Sequence, residues 1–354
     1  MKKIVYYISE YGYGHAARSI AVIRELLRQN PYVEIEVVNQ FALDFLKKSL
    51  SHKNVTFFEL STDIGYFLKE GSIEPDQNKQ VVEVERYLEA LPNLINSEIN
   101  RLEKEKIDLI ISDISPLAFE VAEQIEVPSL GISNFTWHTA FLDLVPLEIL
   151  APLKASYHKM DFFFALAGSN EMKWTNKTTK NYGFYSREIN IKEINHIRSK
   201  IGWEKRIVFL GLGMKMELNE LQNLPIWKSS NTHFIISSNL NIEHPNVSKI
   251  PNDYLETQNY IAACDLVITK AGWGTVGEAV AADVPLLIIE REGMREDQNT
   301  IDYLKAKNLA KTISGSDFKD LVLNDNNKFL NTKYQKNQSN VIKEIAEDIL
   351  RLIH

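Results

Sequence analysis

Apolar positions in this chain alternate between two periods: short β-rich runs, then stretches repeating every three to four residues. Lys3 to Ile8 is the first β-rich run. Ser9-Glu10-Tyr11-Gly12-Tyr13-Gly14-His15 follows, and residues 16–29, with Ile20, Ile23, Leu26 and Leu27, predict a helix. Strand, glycine loop and helix open a doubly wound α/β domain, whose ligands bind beyond the carboxyl ends of the strands. Further strands are predicted at 33–38, 55–60, 107–112, 127–132 and 161–165. Helices are predicted at 41–48 and at 81–104, the latter broken or kinked at Pro92. Tyr182-Gly183-Phe184-Tyr185 marks the end of this domain.

The pattern then restarts. After a linker and short helix at 187–200, a strand at 205–210 leads into Gly211-Leu212-Gly213-Met214. Strands at 233–236, 247–250, 265–269, 285–289 and 310–313 continue the unit, with short helices at 260–263 and 275–282. Residues 290–298 read as a charged loop ending in Asp297-Gln298. A last helix at 339–353 carries Val341, Ile342, Ile345, Ile349 and Leu350 as an amphipathic stripe.

Composition narrows the class. The 354 residues are 44% hydrophobic and 25% charged, with a formal charge of −7, so two soluble domains are expected and nucleic-acid binding is not. The single cysteine, Cys264, excludes a disulfide framework and a cysteine-based metal cluster. The amino terminus reads as a strand rather than a leader, no run of apolar residues is long enough for a membrane span, and the cytoplasm is the expected compartment. The apolar, aromatic segment 135–153 suits packing; an exposed part of it would suit an apolar acceptor or the inner face of a membrane.

Two stretches carry candidate chemistry. Ala271-Gly272-Trp273-Gly274-Thr275 opens a helix, and backbone N–H groups there suit phosphate. Glu278 within that helix repels phosphate but can accept from sugar hydroxyls; an ordinary helix start with glycines for close packing is the plainer reading. In the first loop, Gly12 and Gly14 meet two positions of G-x-G-x-x-G, but Ala17 stands at the third and His15 is a bulky insertion, so a dinucleotide site is disfavoured. His15 suits a general base, with Asp113 or Glu10 behind it, or alternatively a simple hydrogen-bond donor, with Asp113 or Ser115 capping the next helix.

Residues Ser9–Arg18, SDISP at 112–116 and the segment 269–299 together resemble GT-B-fold glycosyltransferases, most closely the family 28 type that includes the bacterial lipid-II-forming N-acetylglucosaminyltransferase. SEYGYGHAARSIAV is also similar to the amino-terminal part of plant L-arabinokinases. The resemblance implies two Rossmann-like domains facing across a cleft, at 1–184 on the acceptor side and 185–335 on the donor side, with 336–354 returning to the first. It implies an inverting hexosyl transfer from a nucleotide sugar, UDP-linked by resemblance, to a hydroxyl on a small molecule, glycan or lipid, without cofactor or metal. His15 would be the base and Asp113 its support. Donor contacts would come from Gly14, Arg18, Gly211, Gly213, Asn252, Tyr254, Gly272, Trp273, Gly274, Thr275, Glu278, Asp297 and Gln298. Arg18 departs from the pattern, standing where that family has a proline, and speaks against lipid I as substrate. A UDP-sugar 2-epimerase and a non-catalytic nucleotide-sugar-binding protein are the alternatives.

Overall fold

The computed structural model describes residues 2–70, 74–212, 221–240, 242–291, 293–324 and 341–353. The chain divides into two compact units: Met1–Phe67 with Pro75–Gly183 and Asn340–His354, and Leu68–Glu74 with Phe184–Ser339.

The first unit is a seven-stranded parallel sheet. Its strands are β1 (Lys3–Ile8), β2 (Glu34–Val38), β3 (Val55–Phe58), β4 (Leu109–Asp113), β5 (Ser129–Ser133), β6 (Phe162–Ala165) and β7 (Thr178–Asn181), in the order β3-β2-β1-β4-β5-β6-β7. The helices between them are α1 (Tyr13–Gln29), α2 (Leu43–Ser49), α3 (Gln77–Leu102), α4 (Pro116–Gln124), α5 (Trp137–Ala140) and α6 (Leu147–Tyr157). Ile4, Val5, Ile8, Leu109, Ile110 and Ile111 are wholly buried. Near-continuous apolar strands are what a sheet covered on both faces requires, each such side chain contributing about 1.5–3 kcal/mol.

The second unit repeats the plan with six strands. They are β8 (Arg206–Gly211), β9 (Thr232–Ile236), β10 (Val247–Lys249), β11 (Leu266–Lys270), β12 (Leu286–Ile289) and β13 (Lys311–Ile313), ordered β10-β9-β8-β11-β12-β13. Its helices are α7 (Ile191–Ile201), α8 (Gln258–Ala262), α9 (Trp273–Ala281), α10 (Arg295–Ala306) and α11 (Gly315–Lys319). The last helix, α12 (Val341–Leu352), belongs to the first unit and packs on α1. There Tyr182 and Lys180 bind Asp348, and Gln29 donates to the Lys343 carbonyl.

Three expectations change. Helix α3 runs unbroken through Pro92, its start capped by the Asp76 carboxylate on the Lys79 N–H. The buried face of Val84, Tyr87, Leu91 and Leu102 offsets the roughly 3 kcal/mol that an interior proline costs. Strand β7 has no signal in the hydrophobic pattern, because all four of its residues are exposed on the sheet edge. Asp297 and Gln298 lie in the first turn of α10 rather than in a loop. Gly293, at φ 78°, ends the preceding turn, and the acidic pair Glu296–Asp297 suits the positive end of the helix. No helix among the described residues is long and apolar enough to cross a membrane.

Candidate active site

In each sheet the winding direction reverses at one strand pair, and both candidate loops leave the sheet there: β1 beside β4, and β8 beside β11. Open α/β sheets bind ligands at such points. In the first unit Ile8 lies opposite Asp113 in register, and the Ser9 N–H reaches the Asp113 carbonyl at 3.2 Å. Gly12 takes φ 80°, a left-handed value that suits glycine, and this turns the chain directly into α1. His15 therefore falls in the first turn, above the end of β4.

There the His15 Nδ1 is 2.9 Å from the Asp113 Oδ1. Asp113 is 1% exposed and His15 7%. Burial alone would raise the Asp113 carboxyl, but the adjacent Arg18 charge and the hydrogen bonds from Arg18 and His15 outweigh it and hold it down to about 2. The carboxylate is thus an acceptor only. It draws the imidazole proton to Nδ1 and leaves Nε2 with its lone pair, making no hydrogen bond among the described residues. Burial, opposed by Asp113 and reinforced by Arg18, pulls His15 below its ordinary value. This is the arrangement of a neutral general base.

Arg18, expected on the ligand, is turned inward instead. It is 4% exposed. Its Nε donates to Asp113 Oδ2 at 2.7 Å, its Nη2 to Asp113 Oδ1 and to Ser133 Oγ, and its Nη1 to Asn134 Oδ1 at 2.7 Å. The reason is spacing: positions 15 and 18 share one face of α1, and that face meets a buried carboxylate. Glu10 does not support His15; it accepts the Gln40 and Phe41 N–H groups at 3.0 and 2.6 Å. Gly14 is exposed beside His15. Ile114, next to Asp113, takes φ 61°, a strained value for a β-branched residue, and the Tyr157 hydroxyl holds its carbonyl at 2.6 Å. Phe135 meets the His15 ring edge-on at 5.8 Å.

Behind this loop lies a group the sequence does not reveal. Asp63 accepts from Trp137 Nε1 at 2.7 Å and the Glu10 N–H at 2.8 Å, and burial pushes its carboxyl up to about 7. Tyr11 and Tyr66 meet the Trp137 ring edge-on, and Phe141 stacks on it.

In the second unit Thr269 lies opposite Gly211, and its hydroxyl donates to the Gly211 carbonyl at 2.9 Å. A Cβ on Gly211 would fall 3.0 Å from that hydroxyl oxygen and 2.8 Å from the Phe209 ring, so only glycine fits. Gly213 lies outside the described residues. Gly272 precedes α9, and no side chain caps the helix start. Backbone N–H groups at such a helix start, those of Gly274 and Thr275 among them, suit an anion. The Trp273 side chain itself is spent on packing, between Phe184 at 5.3 Å and Tyr185 at 5.1 Å. Thr275 is half-buried.

Glu278 is 7% exposed, with Oε1 taking the Arg187 Nη2 at 2.8 Å. Burial raises its carboxyl, and Arg187 partly offsets that. Arg187 also donates to the Leu255 carbonyl at 2.6 Å and to Thr257 Oγ1 at 3.0 Å, so it binds the segment before α8 to Glu278. Arg187 carries no signal in the sequence beyond its place two residues after the aromatic stretch 182–185. Asn252 lies in an exposed turn of that segment, while the Tyr254 hydroxyl accepts from Asn259 at 3.0 Å and its ring meets Tyr260. Asp297 and Gln298 do not act as a pair: Asp297 is buried and takes Arg291 Nε at 2.6 Å, whereas exposed Gln298 donates to Asp302. Among the described residues no three His, Cys, Asp or Glu side chains are grouped to hold a metal ion.

Residues 2–148 match the family described as Glycosyl transferase family 1, and residues 228–351 match the Glycosyltransferase family 28 C-terminal domain. An L-arabinokinase of Arabidopsis thaliana is 23% identical over 82% of this chain, which spans only 28% of that protein's length. An uncharacterized glycosyltransferase of Methanosarcina acetivorans is 22% identical over 91% of this chain and 88% of its own. The fold matches a UDP-glucosyltransferase from Polygonum tinctorium with a TM-score of 0.67 at 12% identity, covering 99% of this chain and 98% of that one. Medicago truncatula UGT71G1, complexed with UDP-glucose, gives 0.59 at 13% identity, covering 100% of this chain and 90% of that one. The two parts of the chain thus match glycosyltransferase family models, and the whole shares its fold with these two structures.

Proposed function

We propose that the protein moves a hexose from a nucleotide sugar, UDP-linked, to a hydroxyl acceptor, with inversion at the anomeric carbon. The observation that carries this reading is the buried His15–Asp113 hydrogen bond, which leaves Nε2 free at a strand end where ligands bind. Nε2 takes the acceptor proton as the oxygen attacks the anomeric carbon opposite the leaving diphosphate, and Asp113 stabilises the imidazolium that results. The uncapped start of α9 receives the diphosphate, whose negative charge grows as the bond breaks. Glu278, with Oε1 held by Arg187, offers Oε2 to the ribose hydroxyls. Asn252 and Tyr254 lie in the segment assigned to the base, and Gly211 and Gly213 are assigned to the diphosphate. The turn holding Asp297 and Gln298 is assigned to the hexose.

Incubation with a panel of nucleotide sugars and hydroxyl acceptors tests this. Thermal stabilisation by a UDP-sugar is expected, followed by release of UDP and a glycoside whose anomeric configuration, read by NMR, is opposite to the donor's. No stabilisation by any nucleotide or nucleotide sugar would end the reading. An isomerised donor formed without acceptor would make the protein an epimerase, and binding without turnover a sensor.

Glu278→Gln should weaken UDP binding by about tenfold or more, since it replaces a charged acceptor with a neutral amide and weakens the hold of Arg187 on it. Calorimetry with UDP measures this; unchanged affinity removes Glu278 from the ribose site.

A further inference from the structure

We propose that Arg18 is the positioning residue of the His15–Asp113 dyad: it clamps both Asp113 oxygens and keeps the imidazole neutral, with Nε2 open to an acceptor proton. This rests on the reading of His15 as the base, and extends it to a residue that touches no substrate. The geometry is specific. Nε and Nη2 of one guanidinium engage the two carboxylate oxygens, and Asn134 and Ser133 fix the rest of the fork. Asp113 Oδ1 also meets His15 Nδ1 at 2.9 Å, and the Ser19 hydroxyl donates to Oδ2 at 3.4 Å.

The same fork sets the charge balance. A buried carboxylate alone behind a histidine favours imidazolium, which cannot accept a proton. Here the guanidinium, always charged, neutralises Asp113 and brings Nη2 to 3.0 Å from His15 Nδ1. A fixed positive charge at that distance opposes a second proton on the ring. The charged groups acting on His15 are Asp113 from β4 and Arg18 from α1. From the end of β5 and the two residues after it the neighbours, Ser133, Asn134 and Phe135, are neutral. Burial and Arg18 lower the proton affinity of the ring, Asp113 raises it, and the lowering side prevails.

Arg18→Gln removes the charge while keeping a hydrogen-bonding side chain, and Arg18→Lys restores the charge without the fork. The readout is NMR of the His15 ring in the full-length protein, which needs neither donor nor acceptor. In the wild type the ring is expected to titrate below an ordinary histidine, with the proton on Nδ1. Its midpoint should rise in Arg18→Gln and fall back in Arg18→Lys. Where turnover is measurable, kcat/KM of Arg18→Gln should drop more at pH 6 than at pH 8, with the deficit at pH 6 tenfold or more. A midpoint that does not rise in Arg18→Gln would overturn the proposal, as would one that stays raised in Arg18→Lys. If Arg18→Gln fails to fold, Arg18→Lys decides: a ring titrating above an ordinary histidine overturns the role of the charge, and one below it supports that role. Titration as described together with full activity of a His15 variant would instead refute the assignment of the base, leaving the electrostatic result intact.

Discussion

Alanine at position 15 is expected to lower turnover by about 10²-fold or more, with donor affinity nearly unchanged. The imidazole lies on the first unit, whereas the features assigned to the donor, the α9 start and Glu278, lie on the second. A change confined to the rate is therefore the signature. Calorimetry with UDP and initial-rate kinetics, run side by side, separate the two quantities. Normal turnover in His15→Ala would remove the base from the mechanism. The variant should fold, because His15 lies in the first turn of α1 and its loss leaves Asp113 still paired with Arg18.

Asp113→Asn should have the larger total effect, because it acts on stability and rate together. It removes the carboxylate that pairs with the buried Arg18 guanidinium, and breaking such a buried pair costs about 3–5 kcal/mol. It also offers His15 an amide in place of an acceptor-only carboxylate, so the preference for Nδ1–H is lost and turnover falls by about 10²-fold or more. Chemical denaturation across pH adds an independent reading. Asp113 is held below its ordinary 3.8, at about 2, so its stabilisation is fully present above the ordinary value and is lost as pH falls toward 2. The wild type should lose stability across that window, and the variant should lose less. Equal acid sensitivity in both would show that the Asp113 charge contributes nothing to folding.

The two sheets were legible because buried parallel strands leave long apolar runs, and because each glycine loop follows such a run directly. His15 and Asp113 were legible for the same reason: one follows β1, the other ends β4, and doubly wound topology makes those strands neighbours. Arg18 was misread because an arginine beside a glycine loop looks like an anion ligand. Only the register that sets Ile8 against Asp113 shows what that face of α1 meets. Trp273 was assigned by position to the donor, yet its ring is committed to Phe184 and Tyr185; sequence cannot separate a backbone role from a side-chain role. Asp297 and Gln298 are adjacent, and adjacency in a helix points side chains about 100° apart, which is why one is buried with Arg291 and the other faces solvent. Edge strand β7 carries too little apolar surface to leave a pattern.

The return of α12 to α1 has a consequence for the order in which the molecule assembles. The second unit is nearly continuous in sequence, while the first stays incomplete until the final segment is synthesised. Val341, Ile345, Ala346 and Ile349 are buried in the completed first unit, where α12 lies along α1. On a ribosome, the helix bearing His15 and Arg18 therefore waits, one apolar flank uncovered, while the whole second unit is made. Loss of the last dozen residues would damage the chemistry at the other terminus without touching a residue of the dyad.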